Sequence, residues 1–347
     1  MLRHLCKLAT VLILLVTGSS LSAASAAKPI VIKLATLAPV GSPWYDLLLE
    51  VAHEWQEITD NQVVVKMYPG GVAGDESDLV IKMRLNHIQA AAMTAAGMSE
   101  IDRGVWAYSL PLMIQEFNQL DWLRAQVSDV LEQRFEEAGF VVLAWADVGW
   151  TYWFSKQPIY TPDDLRKQRI FTWSDGPNIE GLWKSGGFHS VSLAATDILP
   201  GLQTGLIDAM ATSPITAATF QWFGIAKNMC PLRWGVMTGG ILINKQTWEQ
   251  IPEELRPTLA AVAKRQEVKM MSDIRYMGDE AIRVMQGYGL QVLDLTPEHF
   301  KAWESFIKPQ WTHLRGLLID TTMYDWVMEL YQDLPPPDAS APIPISE

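Results

Sequence analysis

The sequence has few of the residues from which catalytic and metal sites are built. It contains two cysteines and six histidines in 347 residues. His53 opens the segment His53-Glu-Trp-Gln-Glu57, which lacks the second histidine of a zinc-binding helix. Neither a Gly-x-Ser-x-Gly motif nor a cysteine cluster at zinc spacing is present. The sequence therefore favours a protein that is not an enzyme, and we expect no cofactor and no metal.

Basic residues are also scarce. The chain carries 39 acidic against 27 basic residues, a formal net charge of −12. Without Arg3 and Lys7 of the predicted leader the charge becomes −14. Nucleic-acid binding depends on neutralising phosphates with lysine and arginine, so a nucleic-acid partner is excluded. An anionic membrane surface is disfavoured as the main partner for the same reason.

Residues 1–27 have the pattern of a signal peptide. Arg3 and Lys7 precede an apolar run at 8–16, and small residues at 24–27 provide a cleavage site. The apolar run is shorter than the roughly 20 residues that span a bilayer. We therefore expect an exported protein in which Cys230 is the one remaining cysteine. Cys230 cannot form an intrachain disulfide and is interpreted as a small buried hydrophobe.

The rest of the chain alternates strand and helix patterns, which is typical of an α/β protein. Strands are predicted at residues 29–36, 63–68, 89–94, 140–145, 149–155, 169–173, 188–192, 208–212, 235–244 and 290–293. Strand-like connections at 145–155 and 235–244 join two α/β series, which suggests two lobes with hinges between them. A helix predicted at 252–286 could extend on the order of 50 Å and lie across both lobes. Further helices are predicted at 297–317 and 321–330.

The stretch from Thr161 to Trp173 leads into the centre of this arrangement. Thr161 and Pro162 can begin a short helix, and the strand at 169–173 follows. In that strand Arg169, Phe171 and Trp173 share one face. We interpret Phe171 and Trp173 as lining a cleft, with ordinary core packing as the alternative.

Three stretches resemble the extracytoplasmic substrate-binding proteins of TRAP (tripartite ATP-independent periplasmic) transporters. They are residues 161–170 (TPDDLRKQRI), residues 202–208 (LQTGLID), and residues 240–248 with 251–255 (GILINKQTW, IPEEL). The resemblance covers residues 28–330 in order. It implies a two-lobed, type II periplasmic-binding-protein clamp with hinge strands and a long helix spanning both lobes. It also implies a receptor in the periplasm that captures a small molecule and delivers it to TRAP membrane permease subunits. An accessory helical-repeat lipoprotein is a further partner that the resemblance allows.

The chain departs from the family where the ligand's carboxylate is usually held. The family's central strand normally offers an arginine, and the alignment places Phe171 at that position. The family's other basic position follows Gly149, where this chain has Trp150, Thr151 and Tyr152. Burying a carboxylate without a cation is costly. We therefore expect an apolar or weakly polar ligand; the alternative is an organic acid held by Arg169 or Arg233.

The resemblance implies further contacts around the cleft. Trp150 and Tyr152 are candidate lining residues, and Thr212 and Ser213 lie where the family turns and supplies polar contacts. Asp75 and Ala96 are expected at the cleft mouth. The glycine-rich residues 70–74 lack the lysine and hydroxyl of a phosphate-binding loop. Asp75, Glu76 and Asp78, which follow them, are therefore interpreted as acids that complement the dipole at a helix N-terminus.

The predicted domains divide the chain in four. Lobe I comprises residues 28–148 with 240–275, and lobe II comprises residues 149–239 with 276–331. The signal peptide (1–27) precedes them, and a proline-rich tail (332–347), expected to be extended and mobile, follows. Two other protein classes stay open as alternatives: a periplasmic hydrolase, for which no nucleophile–base pair can be named, and a scaffolding protein that uses its aromatic residues for protein contacts.

Overall fold

The computed structural model describes residues 28–173 and 177–337, without the side chains of residues 177–179. The predicted signal peptide and the last ten residues of the tail lie outside the described residues. Among the described residues, none of the helices combines the length and the apolar character needed to cross a bilayer.

Nine strands are formed in the described residues: β1 (Ile30–Thr36), β2 (Val63–Tyr68), β3 (Ala90–Thr94), β4 (Phe140–Ser155), β5 (Arg169–Trp173), β6 (His189–Leu193), β7 (Ala209–Thr212), β8 (Asn228–Asn244) and β9 (Gln291–Val292). The α-helices are α1 (Pro43–Ile58), α2 (Glu76–Arg84), α3 (Ala95–Ser99), α4 (Phe117–Glu137), α5 (Pro162–Arg166), α6 (Pro177–Ser185), α7 (Ile198–Thr204), α8 (Pro214–Thr219), α9 (Lys245–Gln250), α10 (Arg256–Gly287), α11 (Pro297–Ile307), α12 (Trp311–Leu314) and α13 (Thr321–Leu330).

All nine strands belong to one sheet, in the order β2-β1-β3-β8-β4-β7-β5-β6, with β9 beside β8. The pairs at the two ends, β1 with β2 and β3, and β5 with β6 and β7, are parallel. The central strands pair antiparallel: β3 with β8, β8 with β4, and β4 with β7. The α/β prediction is confirmed: each end of the sheet is one α/β series, and together they give the expected two-lobed, type II arrangement.

Strands β4 and β8 cross from one lobe to the other. The sequence predicts two separate strands at 140–145 and 149–155. This was wrong, because the described chain forms one 16-residue strand, β4. The ladder continues through a register shift between Asp147 and Gly149, and Gly149 adopts a φ of +112°, which favours glycine. Strand β8 likewise begins at Asn228, seven residues before the predicted start. The alternation of side chains in the sequence is interrupted at these register shifts, whereas the hydrogen-bonded pairing of the strands continues through them.

Helix α10 lies along both lobes, as predicted, and packs on β4, α1 and α8. It starts at Arg256 with Pro257 in its first turn, so the predicted start at residue 252 was four residues early. The helix predicted at 297–317 ends at Ile307, where Lys308–Gln310 continues as a 3₁₀ turn containing Pro309.

A buried ionic network joins β4 to the helices near the crossing point. Asp147 is fully buried and accepts hydrogen bonds from Arg124 of α4 and from Arg275 of α10, the latter at 2.8 and 3.0 Å. Arg275 also binds Asp121 at 2.6 and 2.7 Å. The network therefore connects three elements where the chain passes between the lobes.

The beginning of the tail is held against α4. The side chain of Asn118 donates to the carbonyl of Pro336, and that of Gln119 donates to the carbonyl of Pro335, both at 3.0 Å. These two contacts attach the first residues of the tail to the start of α4.

Candidate functional site

The two lobes enclose a cleft with two compartments. Compartment A, with a volume of about 110 Å³, is lined by residues of both lobes, including Thr36, Trp44, Leu47, Glu76, Met93, Ala195, Thr212, Phe220 and Trp222. Compartment B, with a volume of about 220 Å³, is lined by residues that include Ala96, Trp106, Thr151, Trp153, Phe171, Thr172, Trp183 and Trp234. Thr94, Trp173 and Met237 line both compartments and mark the boundary between them.

Compartment B has an aromatic wall. The rings of Trp153 and Trp234 meet edge to face, with centroids 5.4 Å apart, and Trp183 stacks on Trp234 at 6.2 Å. Phe171 and Trp173 meet edge to face at 5.2 Å. These are the offset and edge-to-face arrangements that aromatic quadrupoles prefer, so the rings hold one another in place. The wall is a rigid, largely apolar surface that contributes indole N–H groups.

Compartment A contains a buried carboxylate, Glu76. Its Oε1 accepts from the backbone N–H of Thr94 at 2.8 Å, and its Oε2 accepts from the Thr94 hydroxyl at 2.7 Å and from the Gly97 N–H at 2.9 Å. Burial raises the pKa of the Glu76 carboxyl above its ordinary value, against the opposing effect of these hydrogen bonds. A Cβ at Gly97 would lie 2.6 Å from the Glu76 Cβ, so glycine is needed for this approach.

Lysine, arginine and histidine are absent from the lining of both compartments within the described residues. Arg169 instead forms a bidentate pair with Asp208, with Nε–Oδ2 at 2.7 Å and Nη2–Oδ1 at 2.9 Å. Arg233 donates to the Gln115 carbonyl at 2.6 Å and to Glu116 at 2.8 Å. Both arginines proposed as alternative anchors therefore already have acceptors outside the cleft.

The structure places four of the predicted site residues in the cleft. Phe171 and Ala96 line compartment B, Thr212 lines compartment A, and Trp173 lines both. Phe171 and Trp173 belong to the short strand β5, whose carboxyl end opens on the cleft.

Trp150, Tyr152 and Ser213 lie elsewhere. They line a separate cavity of about 20 Å³ beside α10. The neighbouring β4 residues Thr151 and Trp153 line compartment B instead, on either side of a register shift. Successive side chains of a strand point to opposite faces, so the pairing of β4 decides which aromatic residues reach the cleft.

Asp75 bridges the lobes at the edge of the cleft. Its Oδ2 accepts a hydrogen bond from the backbone N–H of Ala195 at 3.3 Å. Asp75 precedes α2 in the first lobe, and Ala195 lies between β6 and α7 in the second. A Cβ on Gly71 would lie 3.0 Å from the Thr196 methyl group, which shows how closely the two loops approach.

Sequence reasoning missed Glu76, Trp44 and the tryptophans of compartment B other than Trp173. An acidic residue at position 76 is already explained by its place in the first turn of a helix. The sequence therefore gives no sign that the Glu76 side chain points towards β3 and the cleft. The chain's richness in tryptophan, 15 residues, was the available signal for an aromatic wall. No group of three or more potential metal ligands occurs among the described residues.

Comparison with known proteins identifies the family. The family model described as "Bacterial extracellular solute-binding protein, family 7" matches residues 34–315. The chain belongs to this family. A family 7 relative, the C4-dicarboxylate-binding periplasmic protein DctP of Rhodobacter capsulatus, is 22% identical over 295 residues, which cover 84% of this chain and 88% of that protein.

Solved structures agree with this assignment. A TRAP periplasmic solute binding protein from Ralstonia eutropha H16, with bound (S)-2-acetolactate, superposes with a TM-score of 0.80 at 20% identity. That match covers 88% of this chain and 99% of the other. The sugar acid binding protein DctPAm from Advenella mimigardefordensis, in complex with galactonate, gives a TM-score of 0.81 at 14% identity, covering 89% and 99%. This chain therefore shares its fold with nearly the whole length of both neighbours.

Proposed function

We propose that this family 7 protein is a periplasmic TRAP receptor for an uncharged, apolar or weakly polar small molecule. The observation that carries the proposal is the lining of the cleft. Both compartments are bounded mainly by aromatic and aliphatic side chains, and the one ionisable group among their described lining residues is the acid Glu76.

This lining disfavours an organic anion for two reasons. A carboxylate removed from water requires a cation or several donors, and the two candidate arginines are paired with Asp208 and Glu116. An anion in compartment A would also face Glu76, whose ionised form would repel it. An apolar molecule instead gains roughly 25 cal/mol for each Å² of surface removed from water.

The proposed contacts follow from the geometry. Phe171 and Trp173 contact the ligand with their rings, Ala96 leaves room beside them, and Thr212 offers a hydroxyl in compartment A. Asp75 closes the mouth rather than binding the ligand. Trp150, Tyr152 and Ser213 support β4 from the side that faces α10.

The proposed mechanism is closure of two lobes about the crossing strands. Lobe I comprises residues 28–148 with 240–275, and lobe II comprises residues 149–239 with 276–331. The closed receptor delivers its ligand to TRAP permease subunits and has no catalytic activity of its own. An accessory helical-repeat lipoprotein is a further proposed partner, and nucleic acid is not.

The test is identification of the ligand that the native protein carries. The mature protein would be purified from its own host, denatured in organic solvent, and the extract analysed by mass spectrometry. We expect a neutral molecule of mainly hydrocarbon character. Calorimetric titration with succinate, galactonate and acetolactate should give no measurable binding.

An organic-acid receptor is the second candidate, because the neighbours described above were solved with bound acids. Recovery of a keto acid, sugar acid or dicarboxylic acid from the native protein would establish this candidate instead. Arg169→Ala and Arg233→Ala would then show which guanidinium moves into the cleft, since the affinity for the acid should fall only when its partner is removed.

A further inference from the structure

Three polar side-chain atoms in the described lining of the cleft have no hydrogen-bond partner, and two of them can only donate, which restricts the chemistry of the ligand. Trp153 and Thr172 line compartment B, and Trp44 lines compartment A. Among the described residues, the indole Nε1 atoms of Trp153 and Trp44 and the Oγ1 of Thr172 are buried without a hydrogen-bond partner. Trp153 is 2% exposed and Thr172 is 5% exposed.

We propose that the ligand is an uncharged carbonyl compound, such as a cyclic ketone, lactone or quinone, whose oxygen accepts hydrogen bonds from Trp153 and Thr172. This inference rests on the proposed function, because it assumes a neutral ligand in the same cleft. Trp44 provides a donor of the same kind for a second oxygen in compartment A.

The argument begins with what each group can do. An indole N–H is a donor only, so its partner must be an acceptor. A buried donor with no acceptor destabilises the protein, and native structures satisfy most such groups. Trp153 is therefore expected to have an acceptor when the cleft is occupied. A pure hydrocarbon cannot supply one.

The charge of that acceptor follows from its surroundings. A carboxylate oxygen would accept from the same donors, but two neutral donors are too few to offset the loss of hydration of a full charge. A carbonyl oxygen has two lone pairs and no net charge, so it can accept from a neutral N–H donor and a neutral O–H donor without a charge being buried. Glu76 accepts from Thr94 and Gly97, and it makes no hydrogen bond to Trp153 or Thr172.

A second threonine in compartment B provides a matched comparison. The Thr151 hydroxyl donates to the carbonyl of Gly235 at 2.9 Å, so it has a partner within the chain. Thr172 and Thr151 line the same compartment and differ in this respect. Replacing each by valine removes one hydroxyl while nearly preserving side-chain shape.

The test uses pairs of probes that differ by one carbonyl group: cyclooctanone with cyclooctane, and camphor with camphane. Dissociation constants would be measured from intrinsic tryptophan fluorescence for the wild type, Thr172→Val, Trp153→Phe and Thr151→Val. In the wild type we expect each ketone to bind about 5- to 150-fold more tightly than its hydrocarbon, the value of two ordinary hydrogen bonds of about 0.5–1.5 kcal/mol each. This preference should shrink towards 1 in Thr172→Val and Trp153→Phe and persist in Thr151→Val.

Two results would overturn the inference. If the hydrocarbons bind as well as the ketones, the cleft selects by shape alone, and the proposal of an apolar ligand survives without a carbonyl. If the ketone preference is unchanged in Thr172→Val and Trp153→Phe, the oxygen lies elsewhere. Binding of succinate or galactonate in place of all four neutral probes would instead refute the proposed function itself. Thermal unfolding without ligand would establish that each variant is folded.

Discussion

Asp75 Oδ2 and the backbone N–H of Ala195 are 3.3 Å apart and join the two lobes at the edge of the cleft. The residues are 120 positions apart in the chain, and they meet because the sheet brings the loop before α2 opposite the loop after β6. The contact is independent of any ligand atom. It can therefore stabilise the closed arrangement by itself.

Removing this contact should shift the protein towards an open form. Asp75→Ala loses the acceptor, whereas Asp75→Asn keeps an amide oxygen at nearly the same place. A hydrogen bond of this kind contributes about 0.5–1.5 kcal/mol, so the ratio of open to closed molecules should rise about 2- to 10-fold in Asp75→Ala. Small-angle scattering should give a larger radius of gyration for Asp75→Ala and an almost unchanged one for Asp75→Asn. Equal scattering from the alanine variant and the wild type would show that closure does not depend on this contact.

Placing an arginine in compartment B should change the ligand preference of the cleft from neutral molecules to organic acids. Phe171 is 5% exposed, so Phe171→Arg buries a guanidinium without a counter-charge and should lower stability by the order of several kcal/mol. Succinate should raise the melting temperature of this variant, because a carboxylate then neutralises the buried cation. Phe171→Met, with an uncharged flexible side chain, serves as the control and should not respond.

Succinate should leave the melting temperature of the wild type unchanged. Stabilisation of the wild type by succinate to the same degree would mean that a cation already serves the cleft, contrary to the proposed function.

The buried network at the crossing strands should be sensitive to a single change. Asp147→Asn removes the buried charge that Arg124 and Arg275 share, and breaking a buried ion pair by removing one partner costs about 3–5 kcal/mol, here mainly at Arg124, because Arg275 keeps Asp121. Asp121→Asn changes a half-exposed partner of Arg275 and should cost less than about 1 kcal/mol. Urea unfolding measures both free energies. A similar loss in the two variants would contradict the role assigned to Asp147.

Glu76 should make stability depend on pH in a direction opposite to most carboxylates. Burial raises its pKa in the folded protein above the ordinary 4.5 of the unfolded chain, so the folded state holds the proton to higher pH. The stabilisation is complete below pH 4.5 and is lost as the pH rises through the folded-state pKa.

Glu76→Gln cannot titrate and should lack this loss. The measurement is the free energy of unfolding of the wild type minus that of Glu76→Gln, from pH 4 upwards. We expect this difference to fall as pH rises. The lowered pKa values of Asp164 and Asp208 have the opposite effect at lower pH, and they cancel because both proteins contain them. A difference that stays constant or rises would contradict the pKa shift.

Much of the fold could be predicted because it depends on local patterns. Ser42 caps α1 and Pro43 is its first residue, and this signal, the alternation in β5 and the periodicity of α10 each depend on residues that are close in the sequence. From these local patterns the order of strands and helices and the two α/β series could be predicted. The boundaries failed at Asp147–Gly149 and before Gly235, where bulges interrupt the alternation while the strand pairing continues.

The candidate site was predictable only in part, for a related reason. Phe171 and Trp173 could be selected because β5 is short and its bulky residues alternate. For β4 the sequence shows aromatic residues at 150, 152, 153 and 154, and alternation alone does not say which of them face the cleft. Pairing with β8 and β7 sets that choice, placing Trp153 in compartment B and Trp150 beside α10.

The sequence by itself determined the class of protein and the order of its elements, and it predicts that cations are missing at the family's usual anchor positions. Only the tertiary structure decided what each polar side chain does. Arg169 pairs with Asp208, Glu76 accepts hydrogen bonds from β3 and α3, and the indole N–H of Trp153 has no acceptor among the described residues. The physical reason is that hydrogen bonds and ion pairs act over about 3 Å between residues distant in the chain, so their partners exist only once the sheet has assembled.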